Sequence, residues 1–252
     1  MSKLPVIFEP SGRHVRVQFN GQFIANSRRV MLLRDSAYDI HYAFPEADVD
    51  SSALINEGNA KPSKYKGTQY LLDVQVGDRR AENAAWSYRE APPTDARPDL
   101  RGYIFFKWDA MDAWFEEDEQ VIGHARDPYH RVDAIRSQRH IRIEVDGVTV
   151  AESHRPYLVF ETGLPTRYYL PRADVHWQYL TPTNTHTLCP YKGIASYWTI
   201  TVNGNSYPDH AWAYPEPRTD VGPIGDTVAF YNEKLDIYVD GVLEDRPRTV
   251  FS

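Results

Sequence analysis

The chain has 252 residues, 42% of them apolar, with 17 Tyr, 10 Phe and 6 Trp, so it holds material for a substantial core. Charged residues make up 25% in mixed sign, which argues against disorder, and a net charge of −7 disfavours nucleic acid, whose binding is driven by phosphate neutralisation. No long apolar segment is present to span a bilayer, and the single cysteine, Cys189, cannot form an internal disulfide, which suits a cytoplasmic protein.

In chain order, "MSKLPVIFEPSGRH" is broken by Pro5, Glu9 and Pro10 too early for the apolar stretch of a secretion signal, so none is expected. "HVRVQF" and "QFIANS" alternate with period two around Asn20–Gly21, a pair that supplies the positive φ values of a type I′ turn and predicts a hairpin. Strands are predicted at 30–34 and 40–44, a short helix near 48–54, and further strands at 69–76, 84–88 and 103–108. Residues 116–138, "EEDEQVIGHARDPYHRVDAIRSQ", read as a joint. Its His124, Asp127 and His130 have no recognised ligand spacing, and one Cys with scattered His cannot close a tetrahedral zinc site; neither metal nor cofactor is expected.

From residue 139 the pattern begins again. "RHIRIEVDGVTVAESHRPYLVFET" (139–162) lies over "RHVRVQFNGQFIANSRRVMLLRDS" (13–36) without a gap, so Asp146–Gly147 falls on Asn20–Gly21. At the same offset of 126 residues, "YKG" (65–67) meets "YKG" (191–193) and "AWSYRE" (85–90) meets "AWAYPE" (211–216). After a slip of two, "IFFKWDAMDAWF" (104–115) answers "VAFYNEKLDIYV" (228–239). Strands are therefore predicted at 157–161, 166–170, 195–202, 210–214 and 227–231, a short helix near 174–180, and a turn in "YVDGVL" (238–243). The expected architecture is all-β: a first repeat over 1–115, a linker over 116–138 and a second repeat over 139–252.

Four stretches, "SHRPYLVFETGLPTRYYLPRADV" (153–175), "CPYKGIASYW" (189–198), "HAWAYPEP" (210–217) and "VAFYNEKLDIYVDG" (228–241), in this order resemble the bacterial domain-of-unknown-function 427 family. The resemblance covers nearly the whole chain as a tandem pair. It implies a compact, complex β domain with few short helices, in the broad tent-like architecture of methionine sulfoxide reductase B. Likeness of fold carries no activity, and that reductase's paired-Cys zinc motifs and catalytic pattern are not visible here.

The repeat also ranks the residues that carry chemistry. Cys189 aligns with Ser63, whereas Tyr-Lys-Gly recurs in both copies as Tyr65–Lys66–Gly67 and Tyr191–Lys192–Gly193. The thiol reads either as a nucleophile, with Lys192 and His186 three residues to either side favouring thiolate, or as an inert buried side chain. Lys192 reads as an anchor for an anionic ligand or as the ion-pair partner of Glu161, as Lys66 would be of Asp35. Glu161 ends the apolar strand "YLVFE" behind Arg155, and is a general base if desolvation raises its pKa, otherwise a turn cap. Tyr168, Tyr169, Trp198, Trp212 and Tyr214 outnumber the aromatics at the matching positions Tyr42, Ala43, Leu72, Trp86 and Tyr88, and form either core or a cavity wall.

The site expected from these residues lies in the second repeat. Cys189, Lys192 and Glu161 are its candidate catalytic groups, and Arg155, Tyr168, Tyr169, His186, Tyr191, Trp198, Trp212 and Tyr214 its candidate ligand contacts. The function expected is that of a cytoplasmic protein binding an unidentified small molecule, or an enzyme whose reaction class the sequence does not name. The alternative is a non-catalytic structural or interaction module, including a homo-oligomer. No nucleic-acid or membrane partner is expected.

Overall fold

The computed structural model describes residues 6–36, 39–62, 67–94, 97–249 and 251–252. The expectations for Ser63, Tyr65 and Lys66 lie outside these residues. The chain divides into two units, Met1–Asp127 and Pro128–Ser252. The first holds β1 (Ile7–Pro10), β2 (Val15–Phe19), β3 (Gln22–Ser27), β4 (Met31–Ser36), β5 (Asp39–Pro45) and β6 (Leu54–Ile55). It continues with β7 (Ala60–Lys61), β8 (Gln69–Val76), β9 (Arg79–Ser87), β10 (Tyr103–Phe106), β11 (Ala113–Glu116) and β12 (Glu119–Val121). The second holds β13 (Val132–Arg136), β14 (Ile141–Val145), β15 (Val148–Ser153), β16 (Tyr157–Glu161), β17 (Arg167–Pro171) and β18 (Leu180–Cys189). Its last strands are β19 (Gly193–Val202), β20 (Asn205–Ala213), β21 (Thr227–Phe230), β22 (Asp236–Val239) and β23 (Val242–Leu243). The stretch expected as a linker thus carries β12 and β13 and contains the boundary between the units.

Each unit pairs a large antiparallel sheet with a four-stranded one. In the first unit the orders are β1-β4-β5-β10-β9-β8-β6, with β7 also on β8, and β12-β11-β2-β3. In the second they are β13-β16-β17-β21-β20-β19-β18 and β15-β14-β22-β23. Both hairpins named by the sequence form: Asn20 and Gly21 sit at φ 46° and 76°, Asp146 and Gly147 at 48° and 75°. Each hairpin carries a register shift at the same place, between Val17 and Gln18 and between Ile143 and Glu144.

The predicted helices are only 3₁₀ turns, at Glu46–Asp48 and Ser51–Ala53 and again at Arg172–Asp174 and Trp177–Tyr179. Val49 and Val175 explain why neither pair fuses. Both are extended and bridge to Ala25 and Ala151 respectively, which interrupts any continuous helix.

Both faces of each large sheet are covered, and side-chain alternation assigns neighbours to opposite cores. Leu32, Tyr42, Phe44, Val74, Ile104 and Phe106 meet Val15, Val17 and Phe19 of the small sheet in the inner core. Leu33, Ala43, Trp86, Tyr88 and Phe105 form a separate outer core. The second unit repeats this with Tyr168, Leu170, Trp198, Ile200 and Phe230 inside, and Val159, Tyr169, Tyr197, Trp212 and Tyr214 outside. Full burial of a side chain of this size is worth about 1.5–3 kcal/mol, so the inner core, the larger of the two, supplies most of the hold. No helix among the described residues is long and apolar enough to cross a membrane.

Candidate functional site

The outer face of the large sheet is where the two copies differ. Strand register lines up one row of five residues across it: Met31, Ala43, Phe105, Trp86 and Leu71 in the first unit. The matching row in the second is Tyr157, Tyr169, Ala229, Trp212 and Tyr197. The tryptophan in fourth place is common to both. Beside it, a large residue on one strand and alanine on the next exchange places, Tyr169/Ala229 against Ala43/Phe105. In that exchange one ring stands for another, and the Tyr169 hydroxyl has no counterpart on Phe105.

In the second unit that hydroxyl is used. Tyr169 is 1% exposed, and its Oη accepts the Trp212 Nε1–H at 3.1 Å. Tyr214 and Tyr197 complete a buried aromatic layer, closed by Val221 and Ile224 from the 3₁₀ segment Thr219–Ile224, both with no exposure. Burial pushes the phenols of Tyr169 and Tyr214 far above their ordinary pKa.

Glu161, at the end of β16, is buried at the margin of this layer. Lys192 Nζ donates to its Oε2, and His130 Nε2 lies 3.0 Å from its Oε1. Burial alone raises the carboxyl pKa, but the His130 hydrogen bond and the Lys192 charge outweigh it and hold Glu161 below the usual carboxylate range. A base made strong by desolvation is therefore not what this geometry gives; Glu161 is a clamped anion. The His130 ring stacks on Tyr191 at 4.0 Å, and Lys192 lies 6.0 Å from the centre of the Tyr214 ring. Cys189 is half-buried, packs against the aromatic layer, and lies close enough to Tyr169 and Tyr214 to act on their ionisation.

The structure thus brings together Cys189, Lys192, Glu161, Tyr169, Tyr191, Trp212 and Tyr214. It does not bring Tyr168, Trp198, Arg155 or His186 to them. Tyr168 and Trp198 follow strand alternation into the inner core, where the Tyr168 hydroxyl donates to Glu244 at 2.7 Å. Arg155 is exposed and pairs with Asp174 at 2.8 Å, as Arg29 pairs with Asp48 at 2.6 Å in the first unit, so this ion pair belongs to the repeated scaffold. His186 is exposed on β18 and its Nδ1 is 3.2 Å from the Ala195 carbonyl. Among the described residues no group of three His, Cys, Asp or Glu is arranged to hold a metal ion.

Sequence reasoning missed the first unit's version of the corner, which is open. Leu33, Asp35, His41, Gln69, Trp86 and Tyr88, with the loop residues 67–68, 90–92, 97–98 and 100, line a cleft. It offers about 40 Å³ to the centres of water-sized molecules, where one water needs about 10–15 Å³. In the loop that borders it, Arg97 N–H bonds the Thr94 carbonyl, and in the second unit Val221 N–H bonds the Arg218 carbonyl. Where Val221 seals the second unit, the Arg97 guanidinium donates to Asp35, the counterpart of Glu161.

His41 stands edge-on to Trp86, ring centres 5.2 Å apart, and Gln69 Nε2 donates to the Tyr88 hydroxyl at 3.0 Å. Trp86 is 7% exposed, and its buried Nε1–H has no acceptor among the described residues. An orphaned N–H of this kind costs about 1–3 kcal/mol. A larger, open groove of about 550 Å³ lies beside Arg28, Arg29 and Arg101, with Arg29 and Arg101 already tied to Asp48 and Asp99.

The fold and its paired corners place the chain among proteins built from a duplicated two-sheet β domain. The family described as domain of unknown function (DUF427) matches residues 7–117 and 133–241, so the chain belongs to that family as a tandem of two copies. No curated protein matches the chain.

Proposed function

We propose that this protein binds a small molecule in the outer-face cleft of the first unit, and that the second unit keeps the same corner closed with its own side chains. The observation that carries the reading is the cleft itself, with Arg97 donating to Asp35 at its edge, where the second unit has an aromatic layer closed by Val221 and Ile224. Small-molecule sites are concave and mostly apolar with a few converging polar groups, and the cleft's mixture of Leu33, Leu100, Trp86, Asp35 and Arg97 fits that description. A cytoplasmic setting belongs to the same proposal, supported by a lone half-buried thiol.

A ligand present at 100 times its Kd adds about 2.7 kcal/mol of stability. A thermal-shift screen of a metabolite library against the full chain is therefore expected to yield at least one compound that raises Tm by several degrees. The shift is expected to shrink in Arg97→Gln and to persist in Cys189→Ser. A library without effect, or compounds indifferent to Arg97→Gln, would favour the non-catalytic module.

A second reading, chemistry at Cys189 in the second unit, is favoured by its position against Tyr169 and Tyr214 beside the Glu161–Lys192 pair. Alkylation of the folded protein tests it. Labelling that requires unfolding would reduce Cys189 to packing.

A further inference from the structure

We infer that the groove beside Arg28, Arg29 and Arg101 in the first unit binds a small phosphate monoester with an apolar or aromatic substituent. This is a second site, independent of the cleft, and the comparison of the two copies points to it. Pro45 pairs with Tyr103 as Pro171 pairs with Thr227. The Gly102 carbonyl accepts from Glu46 N–H as the Asp226 carbonyl accepts from Arg172 N–H. Arg101 therefore answers to Gly225, and at the offset of 126 residues Arg28 answers to His154.

The scaffold forms without either arginine. In the second unit the His154 ring stacks on His140 at 4.2 Å, and the Thr227 hydroxyl donates to the Ile224 carbonyl at 2.6 Å. Asp226 and Arg136, of opposite sign, stand where the first unit has Gly102 and Pro10. Only the Arg29–Asp48 pair recurs, as Arg155–Asp174. Arg28, Arg101 and the Tyr103 phenol are thus additions to one copy that the shared fold does not require.

Arg28 is exposed and makes no hydrogen bond or ion pair among the described residues. Arg29 and Arg101 commit Nε and Nη2 to Asp48 and Asp99, which leaves the Nη1 donors of each. No carboxylate lines the groove, and with both partners counted it still keeps the charge of Arg28. Arg29 is held charged chiefly by Asp48 and in small part by the nearby Tyr103 phenol, whose hydroxyl has no hydrogen bond among the described residues. Gly12 and Gly102 line the groove with open space where a Cβ would stand. Guanidinium forks match phosphate oxygens, and a monoester brings three of them with close to two charges, against two oxygens and one charge for a carboxylate.

The groove's volume of about 550 Å³ suits a small molecule, whose sites span about 300–1,000 Å³. The Tyr103 ring, set edge-on to Phe8 at 5.2 Å, joins Met31 and Pro10 as a wall for the substituent. A chain of net charge −7 repels long polyanions, which favours a small ester over a nucleic acid.

Phenyl phosphate, phenyl sulfate and inorganic phosphate separate charge from apolar contact, and calorimetric titration of the full chain at low salt and about pH 8 reads all three. Phenyl phosphate is expected to bind about fivefold tighter than inorganic phosphate and about threefold tighter than phenyl sulfate. Arg28→Gln and Arg101→Gln are each expected to weaken it about fivefold, with the fold intact by circular dichroism. His154→Gln and Arg97→Gln are expected to leave it unchanged. No binding of phenyl phosphate, or binding indifferent to both Arg28→Gln and Arg101→Gln, would overturn the inference. Equal affinity for phenyl sulfate or inorganic phosphate would do the same. A loss in Arg97→Gln alone would move the ester to the cleft, ending this inference and leaving the small-molecule reading in place.

Discussion

A carboxylate inside an aromatic core persists only where its charge is met, and the residues around Glu161 show how closely that condition is satisfied. Removing one partner of a buried pair leaves the other charge uncompensated and costs about 3–5 kcal/mol, whereas an exposed pair is worth about 0–1 kcal/mol. Lys192→Met is therefore expected to lower unfolding free energy by several kcal/mol in urea titrations, and Arg155→Ala, at an exposed pair, by less than about 1 kcal/mol. The same pair sets an acid limit. Glu161 has a folded pKa below its ordinary 4.5, so its contribution is complete above that value and drains away as pH falls through the depressed folded value. Lys192→Met raises the folded pKa and is expected to move the acid-unfolding midpoint upward, as read by tryptophan fluorescence. Phenols work in the opposite direction. Tyr169 and Tyr214 are held neutral far above pH 10, so stability is lost as pH rises past 10, and their ionisation, followed by ultraviolet absorbance, is expected to coincide with unfolding.

Among the elements, turns bear the sharpest local demands. Gly21 and Gly147 have positive φ with open space where a Cβ would stand, so alanine there pays only for backbone conformation, about 1 kcal/mol. Gly193, which closes the loop carrying Tyr191 and Lys192, has φ 113° and would put a Cβ 3.0 Å from the Glu216 carbonyl oxygen. Gly193→Ala is expected to cost clearly more than Gly147→Ala in parallel urea titrations; equal losses would mean that the loop yields freely. The hairpins were legible in the sequence because Asn-Gly and Asp-Gly announce their own geometry. β18 was not, because "LTPTNTHTLC" is an edge strand, largely exposed, and no buried stripe imposes alternation on it. The Glu161–Lys192 pair could be read as one of two options from the repeat. Which of Tyr168 and Tyr169 faced it could not, since both faces of the large sheet are covered and aromatics suit either. Arg97 escaped notice for a different reason: it lies in "PPTDARPDL", where the two copies slip by two residues and no single register fixes its counterpart.

At the scale of the whole molecule, every backbone ladder among the described residues closes within one unit. No sheet among the described residues mixes strands from the two units, and each unit owns an inner and an outer core. Both fall within the ordinary size of an independent domain, large enough to bury most of the surface their unfolded chains expose. Each is therefore expected to fold alone. Residues 1–127 and 128–252, produced separately, should each give an all-β circular dichroism spectrum and a cooperative urea transition. Their stabilities are expected to differ in a definite sense. The second unit satisfies its Trp212 N–H and seals its corner with Val221, while in the first the Trp86 N–H has no acceptor among the described residues and a cleft stands beside it. Residues 128–252 should therefore show the higher midpoint, and any compound found to bind the cleft should raise the midpoint of 1–127 alone. A first fragment as stable as the second without ligand would contradict this account of the corner, and a compound that stabilises only 128–252 would move the binding site to the copy that carries Cys189.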